Sequence, residues 1–269
     1  MSDKHADTTI TSPLIGRSAE TQQFANLLEI CGKTRRGHVV YVCGEAGIGK
    51  TRLATECRQL AAQSGYETHH GLILDFGVSD GQGAVASIIR SLLSIPIASD
   101  EPNHRVNFDQ LVAIGMLDAE QIIYLNDLLG LPLNKEQQLL FDVMDHVSRM
   151  QGIHDVVTSI LVRKAQQQPL LILIEDLHWA DPSSLALMRF ILNASGLPIL
   201  FIISFRPVIN FPEDDDGAPV RYPCEHIRLS DLDPPASREM VCSLMDTQTI
   251  PEALEHYILN HVEGNPFYL

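Results

Sequence analysis

Basic residues are scarce in this chain: 19 Lys and Arg stand against 34 Asp and Glu, for a formal net charge of -15 over 269 residues. Phosphate backbones are gripped mainly by clustered Lys and Arg, and no such cluster stands out, so binding of nucleic acid by this segment is not expected. The five cysteines, Cys31, Cys43, Cys57, Cys224 and Cys242, form no CxxC pair and keep no spacing to histidine that would suit zinc. That pattern fits a reducing compartment rather than a disulfide framework. Long apolar runs are missing too. Stretches such as "LPILFII" (197–203) are far too short to cross a bilayer, and the N-terminal "MSDKHADTTITSP" has no apolar signal core. The expectation is a cytoplasmic protein with no membrane partner. Internal repeats and low-complexity segments are also absent, and the acidic "PEDDDG" (212–217) reads as a solvated loop rather than a metal site.

What is present is a core. At 45% hydrophobic residues the chain can bury one substantial core and little more than a second small domain. Residues 1–12 read as a flexible tail. In "PLIGRSAETQQFANLLEIC" a turn at Gly16 precedes an amphipathic helix carrying Phe24, Leu27, Leu28 and Cys31 on one stripe. Short apolar runs follow at "HVVYV", "GLILDF", "PLLILIED" and "LPILFIISF", with a weaker one at "EHIRLS". Helices fit between them, the alternation of an α/β fold whose parallel sheet is covered on both faces. The gap over about 77–168 is long and helical in pattern, and reads as a helical insertion. Beyond about residue 232 only helical patterns remain, which places a domain boundary there.

The stretch "CGEAGIGKT" (43–51) matches GxxxxGK[ST] between an apolar run and a helical pattern. Glycines let backbone N–H groups turn inward around a phosphate, and the helix N-terminus adds its positive end. Gly44, Glu45, Ala46, Gly47, Ile48 and Gly49 would form the cradle, leading into Lys50, Thr51 and Arg52. Lys50 would neutralise the β- and γ-phosphates and the Thr51 hydroxyl would ligate Mg²⁺. Such a loop needs an acid at the end of a neighbouring strand, and "LLILIEDLHWADPSS" (170–184) supplies Glu175 and Asp176. One carboxylate would hold Mg²⁺ while the other polarises the attacking water. Asp181, followed by Pro182 and Ser183, has the form of a helix N-cap. The paired His69 and His70 read as surface or loop residues.

"PLIGRSAE", "GEAGIGKT", "LILIEDLHWADPSS", "FIISFRP" and "EGNPF", in this order over about 13–269, resemble the STAND class of P-loop ATPases, above all modules joined to LuxR-type transcription regulators or nucleotide cyclases. The resemblance implies an AAA+-like αβα sandwich acting as a slow, nucleotide-driven signalling switch. It implies Glu175 as magnesium ligand and Asp176 as catalytic base, although many relatives have Asp first, which leaves the order open. It further implies that Arg206 senses the γ-phosphate, that Ile15, Gly16 and Arg17 line the adenine pocket, and that Gly264, Asn265 and Pro266 form a lid motif whose proline closes over the nucleotide. His178 and Trp179 belong to the same pattern and are expected to pack the strand end.

The expected function is therefore an ATP- and Mg²⁺-binding switch with slow hydrolysis to ADP and phosphate. Its expected partners are C-terminal sensor or effector domains, with nucleotide-dependent self-association. Relatives continue beyond "EGNPF", so 233–269 reads as the truncated start of a helical lid. A small-molecule kinase and a non-hydrolysing nucleotide scaffold use the same loop and are the alternatives. A GTPase is disfavoured, because the nearest match to its base-reading NKxD is "NKEQ" (134–137), which lacks the Asp and precedes the acidic strand.

Overall fold

A computed structural model of the chain describes residues 13–71, 83–95, 108–180, 182–193, 197–207, 223–253, 255, 262 and 264–269. Five parallel strands form one sheet in the order β2-β3-β4-β1-β5. They are β1 (His38–Cys43), β2 (Glu67–Gly71), β3 (Leu170–Ile174), β4 (Ile199–Phe205) and β5 (Cys224–Arg228). The three central strands, β3, β4 and β1, are apolar on both faces, as a sheet sandwiched between helices requires. Successive side chains point to opposite faces. Val39 and Tyr41 of β1 therefore join Ile172, Ile174, Phe201 and Ile203 in one core, while Val40 and Val42 join Leu171, Leu173, Leu200 and Ile202 in the other.

The second core is closed by α1 (Ser18–Thr34) and α2 (Lys50–Gln63), the first by α3 (Ala84–Leu92), α5 (Ile122–Leu128), α7 (His146–Gln167) and α8 (Pro182–Asn193). Phe24, Leu27, Leu28 and Cys31 are the buried stripe of α1. In α2, Leu53, Ala54, Cys57 and Ala61 face the sheet, and each large apolar side chain buried this way contributes roughly 1.5–3 kcal/mol. Between β2 and β3 the described residues also form α4 (Phe108–Ala113) and α6 (Lys135–Val143). The helical pattern of 135–150 breaks at Met144, where Asp145 caps α7 by accepting the Ser148 N–H at 2.8 Å. After β5 comes α9 (Pro234–Leu244), capped by Asp233 on the Ala236 N–H at 2.8 Å.

The second strand departs from the sequence expectation. It runs over Glu67–Gly71, whereas the expected run "GLILDF" begins at Gly71 and its residues 72–76 lie outside the described residues. His69 and His70 are thus strand residues, not surface loop. A polar strand is tolerated at this sheet edge because its one buried histidine is partnered. His69 Nδ1 lies 2.9 Å from Ser91 Oγ and its Nε2 3.2 Å from Glu67 Oε1, which Lys164 pairs in turn at 3.0 Å. Burial pushes His69 below the ordinary histidine pKa, opposed by Glu67 and reinforced by Lys164. The expected tail 1–12, the acidic 212–217 and Asp181 lie outside the described residues. Among the described residues no helix is long and apolar enough to cross a membrane.

Candidate nucleotide-binding site

The sheet brings the phosphate loop and the paired acids to one edge. β1 and β3 flank β4, so the turn that leaves β1 and the acids that leave β3 emerge side by side at the carboxyl ends of the strands. Gly44 through Gly49 link β1 to α2, and Lys50 opens the helix. Lys50 is 8% exposed, and its Nζ donates to the carbonyls of Gly44 at 2.9 Å and Glu45 at 2.8 Å. Burial lowers its pKa from the usual lysine value; the Asp176 carboxylate opposes that shift and the Arg206 guanidinium adds to it. Lys50, Asp176 and Arg206 therefore share one electrostatic neighbourhood, drawn from α2, the end of β3 and the end of β4.

The two acids diverge. Glu175 turns toward the start of α2 and the end of β2: its Oε2 lies 3.0 Å from His70 Nε2, and the Thr51 hydroxyl contacts the same carboxylate. Burial alone would raise the Glu175 carboxyl. The contacts from His70 and Thr51, with the charges of His70 and Arg58, hold it below the usual carboxylate range instead. Its other oxygen, Oε1, is buried without a well-formed hydrogen bond. Asp176 is 48% exposed and sits in left-handed backbone at φ 54°, ψ 41°, with its N–H directed at Ser204 Oγ of β4 at 3.3 Å. His178 Nδ1 lies 3.8 Å from Asp176 Oδ1, and Trp179 is half exposed.

Whether a divalent cation suits this corner follows from the donors. A buried carboxylate oxygen lacking a partner, beside a loop hydroxyl, fits a hard cation that takes oxygen ligands. Among the described residues no group of three or more His, Cys, Asp or Glu could hold a metal. One carboxylate and one hydroxyl fit a cation of the Mg²⁺ type, which typically binds through one or two carboxylates plus substrate oxygens and water.

Next to the loop lies a mostly apolar cavity of about 160 Å³. It is lined by Leu14, Ile15 and Arg17, by Ile48, Gly49 and Arg52 of the loop and α2, by Leu232 and Met240, and by Pro266. The sequence-expected residues Ile15, Arg17, Ile48, Gly49, Arg52 and Pro266 are therefore brought together. Gly16 is not in the lining. It turns the chain at φ +69°, and a Cβ there would meet Leu232 Cδ2 at 2.7 Å and Ala236 Cβ at 2.8 Å. Arg17, 5% exposed, donates to the carbonyls of Ile48 at 3.2 Å and Ser230 at 2.6 Å, tying the N-terminal segment to the phosphate loop and to the chain after β5. Arg52 pairs with Glu56 at 3.0 Å along α2. Glu45, Ala46 and Gly47 are exposed at the mouth of the loop.

Three contributors were not expected from the sequence, His70 and Arg58 beside Glu175 and Ser204 beneath Asp176; Asn265 was expected in the lid motif, but its side-chain bond to Ala46 was not. The adjacent His pair was the one available signal for His70. A strand that alternates one histidine inward and the next toward the site would have exposed it.

A family model described as "AAA ATPase domain" matches residues 13–203. The chain belongs to this AAA ATPase family. The AAA ATPase domain here is 21% identical over 262 residues to adenylate cyclase type 10 of Mus musculus, a match covering 95% of this chain and 16% of the relative. It thus spans about a sixth of that relative's length. Among solved structures it is similar to the Aeropyrum pernix ORC1 protein in complex with DNA, with a TM-score of 0.54 and 11% identity, covering 96% of this chain and 58% of the other. It is also similar to a STAND protein with a tetratricopeptide repeat sensor from Pyrococcus horikoshii, with a TM-score of 0.47 and 16% identity, covering 95% of this chain and 29% of that one. The family and the fold agree with the expected α/β P-loop ATPase architecture, and they make the chain a nucleotide-binding module of the AAA+ type.

Proposed function

We propose that this AAA ATPase domain is a nucleotide switch that binds Mg·ATP, hydrolyses it slowly and passes its state to domains elsewhere in a larger signalling protein. The observation that carries this reading is the position of the C-terminal segment: Pro266 and α9 residues line the cavity beside the phosphate loop, so the lid segment is coupled to what the cavity holds. The adenylate cyclase relatives support an effector partner of that kind. The excess of 34 acidic over 19 basic residues supports a protein partner rather than a polyanion. In this proposal the lid begins near residue 232.

Roles follow from the divergence of the acids. Glu175 and Thr51 would hold Mg²⁺, which neutralises charge on the β- and γ-phosphate oxygens when bound. Asp176, on the Lys50 side, accepts the proton of the attacking water, while Lys50 and Arg206 stabilise the terminal phosphate. Asp176 is half exposed, so water competes for the base. Slow turnover is the expected result. Steady-state phosphate release at saturating Mg·ATP should fall well below the roughly 1–100 s⁻¹ of kinases. Phosphoryl transfer to a small acceptor would replace the switch with a kinase, and tight binding with no release would leave a scaffold.

The base should be adenine. The guanidinium of Arg17 is engaged by two backbone carbonyls, and the remaining lining is largely apolar, so the extra polar edge groups of guanine would be buried with few partners. An unsatisfied buried group costs about 1–3 kcal/mol, so GTP should compete with a fluorescent ATP analogue at least about tenfold more weakly than ATP at equal Mg²⁺. Equal competition would remove the adenine assignment.

A further inference from the structure

The C-terminal segment does more than cap the base cavity. Asn265 Nδ2 donates to the carbonyl of Ala46 at 3.1 Å, while Asn265 Oδ1 accepts the N–H of Phe267 at 3.0 Å. Both ends of the side-chain amide are therefore used, which fixes its orientation. The segment presses closely on the loop: a Cβ added to Gly47, whose φ is +77°, would meet Phe267 Cβ at 2.5 Å and Asn265 Oδ1 at 3.0 Å. On one side of Asn265 the chain is pinned to the sheet domain, where the Leu232 N–H donates to the Gly264 carbonyl at 2.8 Å. On the other side Pro266 enters the cavity lining. Asn265 sits between the base cavity and the phosphate loop.

The bonded carbonyl belongs to the peptide that joins Ala46 to Gly47. That unit is planar and trans, so its C=O and its N–H point in opposite directions. With the Ala46 carbonyl turned out toward Asn265, the Gly47 N–H is directed to the opposite side, away from the lid segment. Backbone N–H groups aimed inward are what a glycine-rich loop offers to phosphate. Gly47 is otherwise free to rotate, since glycine populates many backbone conformations about equally. An external bond to its peptide removes that freedom before the ligand arrives.

We propose that Asn265 is a positioning residue for phosphate binding: its amide locks the Ala46–Gly47 peptide so that the Gly47 N–H faces the phosphates. The proposal rests on the nucleotide-binding reading above and assigns the C-terminal segment a part in phosphate recognition that is separate from covering the base.

The test compares ATP, ADP and adenosine binding by calorimetry for the wild-type chain, Asn265→Ala and Asn265→Leu, the leucine preserving approximate size without the amide. Both variants should bind ATP and ADP about tenfold more weakly, the scale of a lost hydrogen bond plus restored loop freedom, with adenosine affinity unchanged. Thermal unfolding of each variant checks that it is folded. Wild-type affinity for ATP in a folded variant would overturn the proposal. So would an equal loss for ATP and adenosine, which would mean that Asn265 only seats Pro266 in the cavity. A wild-type chain that binds neither nucleotide nor nucleoside would overturn the nucleotide reading itself, and the latch with it.

Discussion

Replacing Lys50 with alanine is expected to raise the dissociation constant for ATP by at least about a hundredfold. Truncating one partner of a buried, charge-assisted contact typically costs about 2–5 kcal/mol, and a hundredfold is about 2.7 kcal/mol. Two features of the site bear on the size of the effect. Burial of the ammonium makes each contact to phosphate stronger than it would be in water. Against that, Lys50 already donates to the carbonyls of Gly44 and Glu45, so nucleotide has to displace protein hydrogen bonds rather than create interactions from nothing. The same bonds brace the loop, and a loss of binding could then reflect a collapsed loop. Lys50→Met keeps the buried stem but, like alanine, loses the ammonium and its bonds to Gly44 and Glu45, so thermal unfolding of both variants shows whether the loop has collapsed. A fluorescent ATP analogue titrated against both variants gives the answer. Affinity like that of the wild type in Lys50→Met would place the phosphates elsewhere.

Asp176→Asn should leave Mg·ATP bound while slowing hydrolysis by at least about a hundredfold, the usual scale for a positioned general base. The substitution isolates the chemistry well. Asparagine tolerates left-handed backbone, so the φ of 54° at this position need not change, and the N–H contact to Ser204 survives. The capacity to take a proton is lost, together with the negative charge that acts on Lys50. Glu175→Gln should act differently, weakening Mg²⁺ dependence and affinity, because the carboxylate beside Thr51 and His70 would lose its charge. Single-turnover hydrolysis and a Mg²⁺ titration on each variant separate the two roles. If Glu175→Gln blocks hydrolysis with Mg²⁺ retained and Asp176→Asn loses Mg²⁺, the assignments exchange.

The positions of the phosphate loop and of Glu175 and Asp176 were legible in the sequence because they form local patterns. A glycine-rich turn after an apolar run, and adjacent acids at the end of another, survive as patterns within about ten residues. The central strands were legible for a related reason: β1, β3 and β4 are buried on both faces and read as unbroken apolar runs. The start of β2 was missed because "ETHHG" carries no such run, and its inward His69 is accommodated by Ser91 and Glu67 rather than by apolarity. The approach of His70 to Glu175 spans the β2–β3 pair, whose members are about a hundred residues apart, and no local pattern encodes it. The bond from Asn265 to Ala46 is more remote still, with a separation of 219 residues.

That remoteness bears on how the molecule assembles. The Arg17 contact to Ser230 closes a separation of 213 residues, and the phosphate loop is held between this contact and the one from Asn265. Closing such loops costs chain entropy before any contact compensates, and topologies rich in distant pairings fold slowly. The β1–β5 pair, Val39 with Cys224, is nearly as distant in the chain, so the pocket and the sheet that supports it share this cost. A ligand that recognises only the completed pocket acts on the folded side of the barrier: it slows unfolding and adds to apparent stability by mass action, without hastening the search that builds the sheet.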